Sequence, residues 1–210
     1  MRLLAFDTCL DKTYITLTDG KEFVNKVIVS DNENYHSAYL ISTIVEILKA
    51  SNLTPKDLDY IATDIGPGSF TGIRACVTVA RMLAQQLGIK TIGISSLEIL
   101  SKILNNNDLV ALDARKNKAY IYDNEVLGAI ELEEVDDIVK NRKLITDNSL
   151  FERLSQHAQE TISYQKSEYP LGEILAKIAL TRIEQNNILD WEILNLYTSS
   201  HHQFLEDSSI

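Results

Sequence analysis

Apolar and polar positions follow a definite order along the first half of the chain. Residues 2–6 (RLLAF) are a short apolar run of the kind a buried strand needs, residues 12–18 (KTYITLT) alternate with a strand period, and Asp19-Gly20 supplies a hairpin turn into 21–29. A three-stranded meander is expected. From Tyr35 to Ala50 the period becomes helical, with Asn32 or Asn34 placed to cap it, and the pattern stops before Leu53-Thr54-Pro55. A strand at 60–65, the turn Gly66-Pro67-Gly68-Ser69-Phe70-Thr71-Gly72, a helix over 71–87 with Gly88 as its C-cap, a strand at 89–94 and a helix from Ser96 to Leu104 complete a β-β-β-α-β-α-β-α series.

Asn105-Asn106-Asn107-Asp108 interrupts two apolar runs with four turn-forming residues and divides the chain into lobes at 1–104 and 105–210. After it the opening repeats in outline. Strand 109–113 (LVALD) ends on an aspartate, as the first strand does, and 118–123 and 126–132 form a second hairpin around Asn124. Beyond residue 133 the signal weakens to an acidic stretch, a strand at 143–146 and an amphipathic helix over 171–184, so the second lobe reads as reduced; the last residues, HHQFLEDSSI, read as a frayed tail.

Composition narrows the function classes. With 210 residues and 45% hydrophobic side chains the chain can bury a substantial core. Its 30 acidic against 20 basic residues give a net charge of −10, which repels nucleic-acid backbones and anionic membranes, so direct nucleic-acid or membrane binding is not expected. The N-terminal MRLLAFDT is too short in apolar residues for a signal peptide or a span, and a cytoplasmic location is expected. Cys9 and Cys76 lie in neither a CxxC nor a Cys/His spacing; no metal site is expected, and Cys76 reads as a small buried apolar residue.

Three places could carry chemistry. The Gly66–Gly72 turn sits between strand and helix, where backbone N–H groups and the helix dipole can hold an anion, which makes Gly66, Gly68 and Ser69 phosphate-site candidates. It lacks the lysine of a Walker A loop and has Thr71 where a dinucleotide loop needs its third glycine; the other reading is a tight turn for close helix–sheet packing. Asp7-Thr8 closes the first strand and could face a nucleotide cleft, or simply cap its own turn. Arg115 could clamp an anion beside Asp113, or neutralise it. There is no HExxH, no HxxxH and no Ser/His/Asp set, so no catalytic residue is assigned and a peptidase reading has no support.

The two central helices are over-apolar. Tyr35, Ala38, Tyr39, Leu40, Ile41, Ile44, Val45, Ile47 and Leu48 wrap well past a ~100° stripe, and 71–87 leaves only a narrow polar line through Thr71, Arg74, Thr78, Arg81 and Gln85. Such helices are either sandwiched in their own domain or face a partner.

MRLLAFDT, GPGSFTGIR followed by an Ala-rich helix and IGISSLE, and ALDARKNKAYIY, in that order, resemble the TsaB (YeaZ) family of tRNA threonylcarbamoyladenosine biosynthesis, over residues 1–123. The resemblance implies an α/β, duplicated actin/hexokinase-like (ASKHA, ribonuclease H-like) fold with a reduced second lobe. The catalytic paralogue TsaD carries an HxxxH pair in the helix that here begins Ser95-Ser96-Leu97-Glu98, without histidine. The resemblance therefore implies a non-catalytic subunit that pairs with a TsaD-like transferase and a TsaE-like ATPase and reaches tRNA only through the complex; the over-apolar helices, left without that partner, are expected to pair two copies of the chain in isolation. It implies partner contacts at Tyr35, Tyr39, Leu40, Ile44 and Ile47 of the first helix and Thr71, Arg74, Thr78, Val79 and Met82 of the second. No tightly bound cofactor is expected, with ATP or ADP held only weakly or in the assembled complex. The alternative is a stand-alone ATPase or phosphotransferase using Asp7, Thr8 and the glycine turn. One departure is Leu196-Tyr197-Thr198, where the family often ends with Tyr-Leu-Arg.

Overall fold

The computed structural model describes residues 1–30, 35–104 and 108–188. In chain order these form β1 (Leu3–Asp7), β2 (Thr13–Thr18), β3 (Phe23–Ile28), α1 (Leu40–Ala50), β4 (Tyr60–Asp64), α2 (Phe70–Leu87), β5 (Lys90–Ile94) and α3 (Ser96–Ser101). They continue with β6 (Leu109–Arg115), β7 (Lys118–Tyr122), β8 (Val126–Glu131), α4 (Leu132–Ile138), β9 (Lys143–Thr146), α5 (Asn148–Leu154), β10 (Glu160–Ser163) and α6 (Leu171–Glu184). The chain divides into two units, one of Met1–Ser96 with the segment from Leu171, the other running from Leu97 to Pro170.

The first unit carries a sheet of order β3-β2-β1-β4-β5. β1 pairs antiparallel with β2 and parallel with β4, and β4 pairs parallel with β5. The meander turns at Asp19, whose Oδ1 accepts from the N–H groups of Lys21 and Glu22, both at 2.9 Å. β2 looks half-polar in sequence yet is buried along its whole length, because helices cover both faces of the sheet. Its threonines are satisfied locally: Thr16 Oγ1 donates to Asn25 Oδ1 at 2.7 Å and Thr18 Oγ1 to the Glu22 carbonyl oxygen at 2.6 Å.

Two helix starts differ from expectation. The first helix was expected from Tyr35, but Tyr35 is extended, His36–Tyr39 form a 3-10 turn, and α1 begins only at Leu40 without a side-chain cap. The expected caps, Asn32 and Asn34, lie outside the described residues. α2 starts at Phe70, capped by Ser69 Oγ accepting from Gly72 N at 3.2 Å, and ends at Gly88, whose φ of 67° is the left-handed geometry glycine adopts without penalty.

Leu4, Phe6, Ile15, Leu17 and Ile61 form one core with Leu40, Ile44, Ile47, Ile73, Val77 and Ala80 of α1 and α2. The 105–210 lobe boundary requires correction at its far end. α6 packs on the strands of the first sheet, burying Leu171, Leu175, Ala176 and Ala179 there. That sheet buries side chains on both faces, and an amphipathic helix is stable where its apolar stripe meets such a face. The Asn105–Asn107 linker lies outside the described residues, as does Leu196-Tyr197-Thr198.

The second unit repeats the first. Its sheet runs β8-β7-β6-β9-β10, with an antiparallel meander of its first three strands and two further strands added in parallel beside β6. The stretch after residue 133 is therefore built rather than eroded, with α4, β9, α5 and β10 in sequence. What is reduced is the helical layer: α4 and α5 have 7 residues each, against 11 and 18 in α1 and α2. Among the described residues no helix is long and apolar enough to cross a membrane.

Candidate functional site

The residues expected to carry chemistry meet where β1 runs out against the first turn of α2, but they are enclosed there. Asp7 is 1% exposed and Thr8 fully buried. Asp7 Oδ1 accepts from the Cys9 N–H, no donor reaches its Oδ2, and as a neutral acid Asp7 can hydrogen-bond to the Asp64 carboxylate. Thr8 N–H donates to Cys76 Sγ at 3.0 Å, and Thr8 Oγ1 donates to the Gly72 carbonyl oxygen at 2.6 Å. Burial pushes the Asp7 carboxyl well above the usual carboxylate range, with the nearby Asp64 and Cys76 adding to the effect. These two residues, offered as nucleotide contacts, instead anchor the strand end within the core.

Asp64, at the end of β4, joins this cluster. Its Oδ1 accepts from Gly66 N–H at 2.7 Å, and Ser96 Oγ donates to the carboxylate at 2.7–2.8 Å. Burial raises its pKa to about 6 against the opposing pull of those donors. Burial likewise pushes the Cys9 thiol up, and Cys9 Sγ lies 3.6 Å from the Asp64 carbonyl oxygen. Donor atoms of Asp7, Cys9 and Cys76 all lie within 4.8 Å of one another. Spacing rules missed this grouping because Cys76 comes from a helix far along the chain, while Cys9 lies beside Asp7.

The glycine turn resolves in favour of packing. A Cβ on Gly68 would collide with the Cys9 carbonyl oxygen, and one on Gly72 with the Thr8 carbonyl oxygen. The turn is pressed onto the backbone of residues 8–9, and Ser69 N–H donates to the Cys9 carbonyl oxygen at 2.8 Å. Gly66 N–H is held by Asp64, Gly72 N–H by Ser69 Oγ and Ile73 N–H by the Ser69 carbonyl oxygen. The N–H groups of Gly66 and Ser69, expected to hold phosphate, thus already bond to protein, and so do those of Gly72 and Ile73.

The second unit's equivalent point is more open. Arg115, whose side chain is largely exposed, sits 3.3 Å from Asp113 and its N–H donates to Asp113 Oδ1 at 2.8 Å, so the neutralising role offered for it is realised in the structure. Asp113 N–H in turn donates to Asp147 Oδ2 at 2.7 Å.

The helix positions separate into two groups. Leu40, Ile44 and Ile47, expected to touch a partner, are instead core residues, because the rows at 40, 43, 44, 47, 48 and 73, 76, 77, 80, 84 face the sheet, and Val79, likewise expected to touch a partner, is buried in the same core cluster. Tyr39 is half-buried. Tyr35, Thr71, Arg74, Thr78 and Met82 are exposed. Ile41 (55% exposed) and Val45 (42%) on α1, counted among the over-apolar positions but not among the expected partner contacts, and Phe70 on α2 are exposed apolar residues. Phe70, Arg74, Thr78 and Met82 recur every fourth residue and form one row along α2, with the Arg74 guanidinium 5.0 Å from the Phe70 ring centre.

Three comparisons bear on this arrangement. The family model described as TsaD, tRNA N6-adenosine threonylcarbamoyltransferase, matches residues 27–180. The chain is 30% identical over 209 residues to the tRNA threonylcarbamoyladenosine biosynthesis protein TsaB of Buchnera aphidicola subsp. Schizaphis graminum, spanning 83% of this chain and 97% of that protein. It is 33% identical over 123 residues to the Bacillus subtilis protein of the same name, spanning 57% of this chain and 53% of that one. Among solved structures, YeaZ from Pseudomonas aeruginosa superposes with a TM-score of 0.74 at 22% identity, over 92% of this chain and 98% of that one, a likeness of fold.

Proposed function

This chain belongs to the TsaB (YeaZ) family, and from that premise we propose that it is a non-catalytic subunit of cytoplasmic tRNA threonylcarbamoyladenosine biosynthesis, working by heterodimerising with and activating a TsaD-like transferase. The observation that carries this reading is the outward row on the two first-unit helices: Ile41 and Val45 on α1, and Phe70, Arg74, Thr78 and Met82 on α2, are exposed while their neighbours fill the core. Exposed apolar rows of this kind on otherwise well-packed helices mark interaction surfaces. Tyr35 and Thr71 are exposed as well. The core positions Leu40, Ile44, Ile47 and Val79 support it from beneath, by fixing which row of each helix points outward.

A non-catalytic role agrees with the chemistry at the β1 end, where Asp7 and Thr8 are enclosed and the N–H groups of Gly66 and Ser69 bond to protein. A net charge of −10 favours contact with tRNA through partner proteins. A TsaE-like ATPase would join the same assembly, ATP or ADP would be held weakly or only there, and without a partner the same apolar surface would pair two copies of this chain.

Size-exclusion chromatography of the chain with the TsaD-like protein of its own cell tests this. A heterodimer is expected for the wild type, and its loss in Ile41→Glu and Met82→Glu variants that remain folded. An intact complex with both variants would place the interface elsewhere. Failure of the wild type to form a complex would remove the partner role itself.

A further inference from the structure

A buried carboxylate oxygen without a hydrogen-bond partner is uncommon enough in folded proteins to require a reason. Asp7 Oδ2 is such an atom when Asp7 is ionised, the Asp64 carboxyl being a partner for it only as a neutral acid, and it stands on a side chain that is 1% exposed. It lies in the same cluster as two cysteine sulfurs, Cys9 and Cys76, each 2% exposed or less, and the three donors fall within 4.8 Å of one another. From this geometry we infer that Asp7, Cys9 and Cys76 form a binding site for a thiophilic divalent cation, zinc above all, that pins the end of β1 to α2.

The donor set is one zinc takes: two thiolates and one carboxylate. Zinc–sulfur bonds of about 2.3 Å and a zinc–oxygen bond of about 2.0 Å at tetrahedral angles put the sulfurs about 3.8 Å apart and oxygen and sulfur about 3.5 Å apart, so adjustments of about 1.3 Å at most bring donors that lie within 4.8 Å of one another to those spacings. The surroundings already orient the ligands. Cys9 N–H holds Asp7 Oδ1, which leaves Oδ2 as the ligand, and Thr8 N–H donates to Cys76 Sγ at 3.0 Å, the contact that steadies a thiolate. Two oxygens stand within reach to complete four-coordination: Thr8 Oγ1, 3.0 Å from Cys76 Sγ, and the Asp64 carbonyl oxygen, 3.6 Å from Cys9 Sγ. The ion takes the place of the thiol protons, which leave to solvent, and its two positive charges are balanced by the three anionic donors to within one unit. A site this enclosed loads as the chain folds, so metal binding and stability of the β1–α2 junction are coupled.

Full-length protein purified from zinc-supplemented cells should retain about one zinc per chain after desalting, measured by mass spectrometry of the metal. Refolded with cobalt, it should show thiolate-to-cobalt charge transfer and the visible bands of a tetrahedral ion. Cys9→Ala and Cys76→Ala should each lose about half of the charge-transfer intensity, one of two thiolates being gone. Asp7→Asn, which keeps shape, should keep both thiolates and bind cobalt at least about tenfold more weakly. Absence of metal in the purified chain together with absence of charge transfer after refolding would overturn the site, as would full retention in both cysteine variants. If the cysteine variants do not fold, Asp7→Asn decides: cobalt affinity unchanged from wild type would exclude Asp7 and sink the proposal.

Discussion

Thr8 Oγ1 donates to the carbonyl oxygen of Gly72 at 2.6 Å, tying the end of β1 to the first turn of α2. Gly72 has no Cβ because the Thr8 carbonyl oxygen occupies the space one would need. A Gly72→Ala substitution meets backbone rather than a movable side chain, so it is expected to destabilise by roughly 1–3 kcal/mol or more. Thr8→Val, which keeps shape and removes the hydroxyl, is expected to cost only about 1 kcal/mol. Urea unfolding of the two variants should rank them in that order, and a Gly72→Ala protein as stable as wild type would mean the turn is less tightly seated.

At the other face of the same sheet, Gly172 lets α6 sit against β2: a Cβ there would lie 2.7 Å from Thr16 Oγ1 and 3.1 Å from Tyr14 Cβ. Near the far end of α6, Arg182 reaches the Gly93 carbonyl oxygen at 2.6 Å. A chain ending at Pro170 loses that cover from Leu3 and Ala5, which are buried yet outside the core that α1 and α2 share with β1. Limited proteolysis of this truncation is expected to cut within residues 1–96 while sparing 108–163. Cutting confined to the second unit would show that α6 belongs there after all.

How much of this was legible in sequence depended on how local each cause is. Asp19-Gly20, Pro55 and Gly88 act on their own neighbours, so the β-β-β-α-β-α-β order of the first unit could be read directly. α4 and α5 were missed because they are two turns long and, in α4, carry Glu133, Glu134, Asp136 and Asp137, which hide the apolar pair Leu132 and Val135. The Asp7–Cys9–Cys76 cluster could not be read at all, since only the docking of α2 on β1 brings Cys76 to it. On α1, two adjacent apolar rows left the phase of the helix undetermined.

In the second unit Arg142 grips Asp123 with both guanidinium nitrogens, each bond 2.7 Å long. That hydrogen bonding holds the Asp123 carboxyl below its ordinary range. A folded-state pKa below the unfolded one means the contribution is fully present above the unfolded carboxylate value of about 3.9 and fades as pH falls through the folded one. Arg142→Leu is therefore expected to lower stability by at most about 1 kcal/mol at neutral pH, the pair being partly exposed. The deficit should shrink in urea melts run at progressively lower pH below about 4. A deficit that stayed constant would trace the loss to packing of the arginine stem and not to its charge.

Ile41 and Ile44 lie less than one turn apart on α1, one 55% exposed and the other 4% exposed. Their hydrophobicity is identical, so the sheet beneath the helix, and not the residue type, decides what each contributes. Ile44→Ser removes a side chain from the core shared with Phe6, Leu17 and Ile47, and is expected to cost about 2–5 kcal/mol through lost burial and the cavity left behind. Ile41→Ser changes an outward position and should stay within about 0.5 kcal/mol of wild type. If the outward row is an interface, the ranking inverts for association: Ile41→Ser should raise the dissociation constant for a partner chain, while an Ile44→Ser protein that still folds should bind nearly as wild type. Thermal melts and binding measured on the same two samples separate the cases. Equal loss of stability in both variants would mean that α1 is rotated relative to the arrangement described, and its outward row would have to be redrawn.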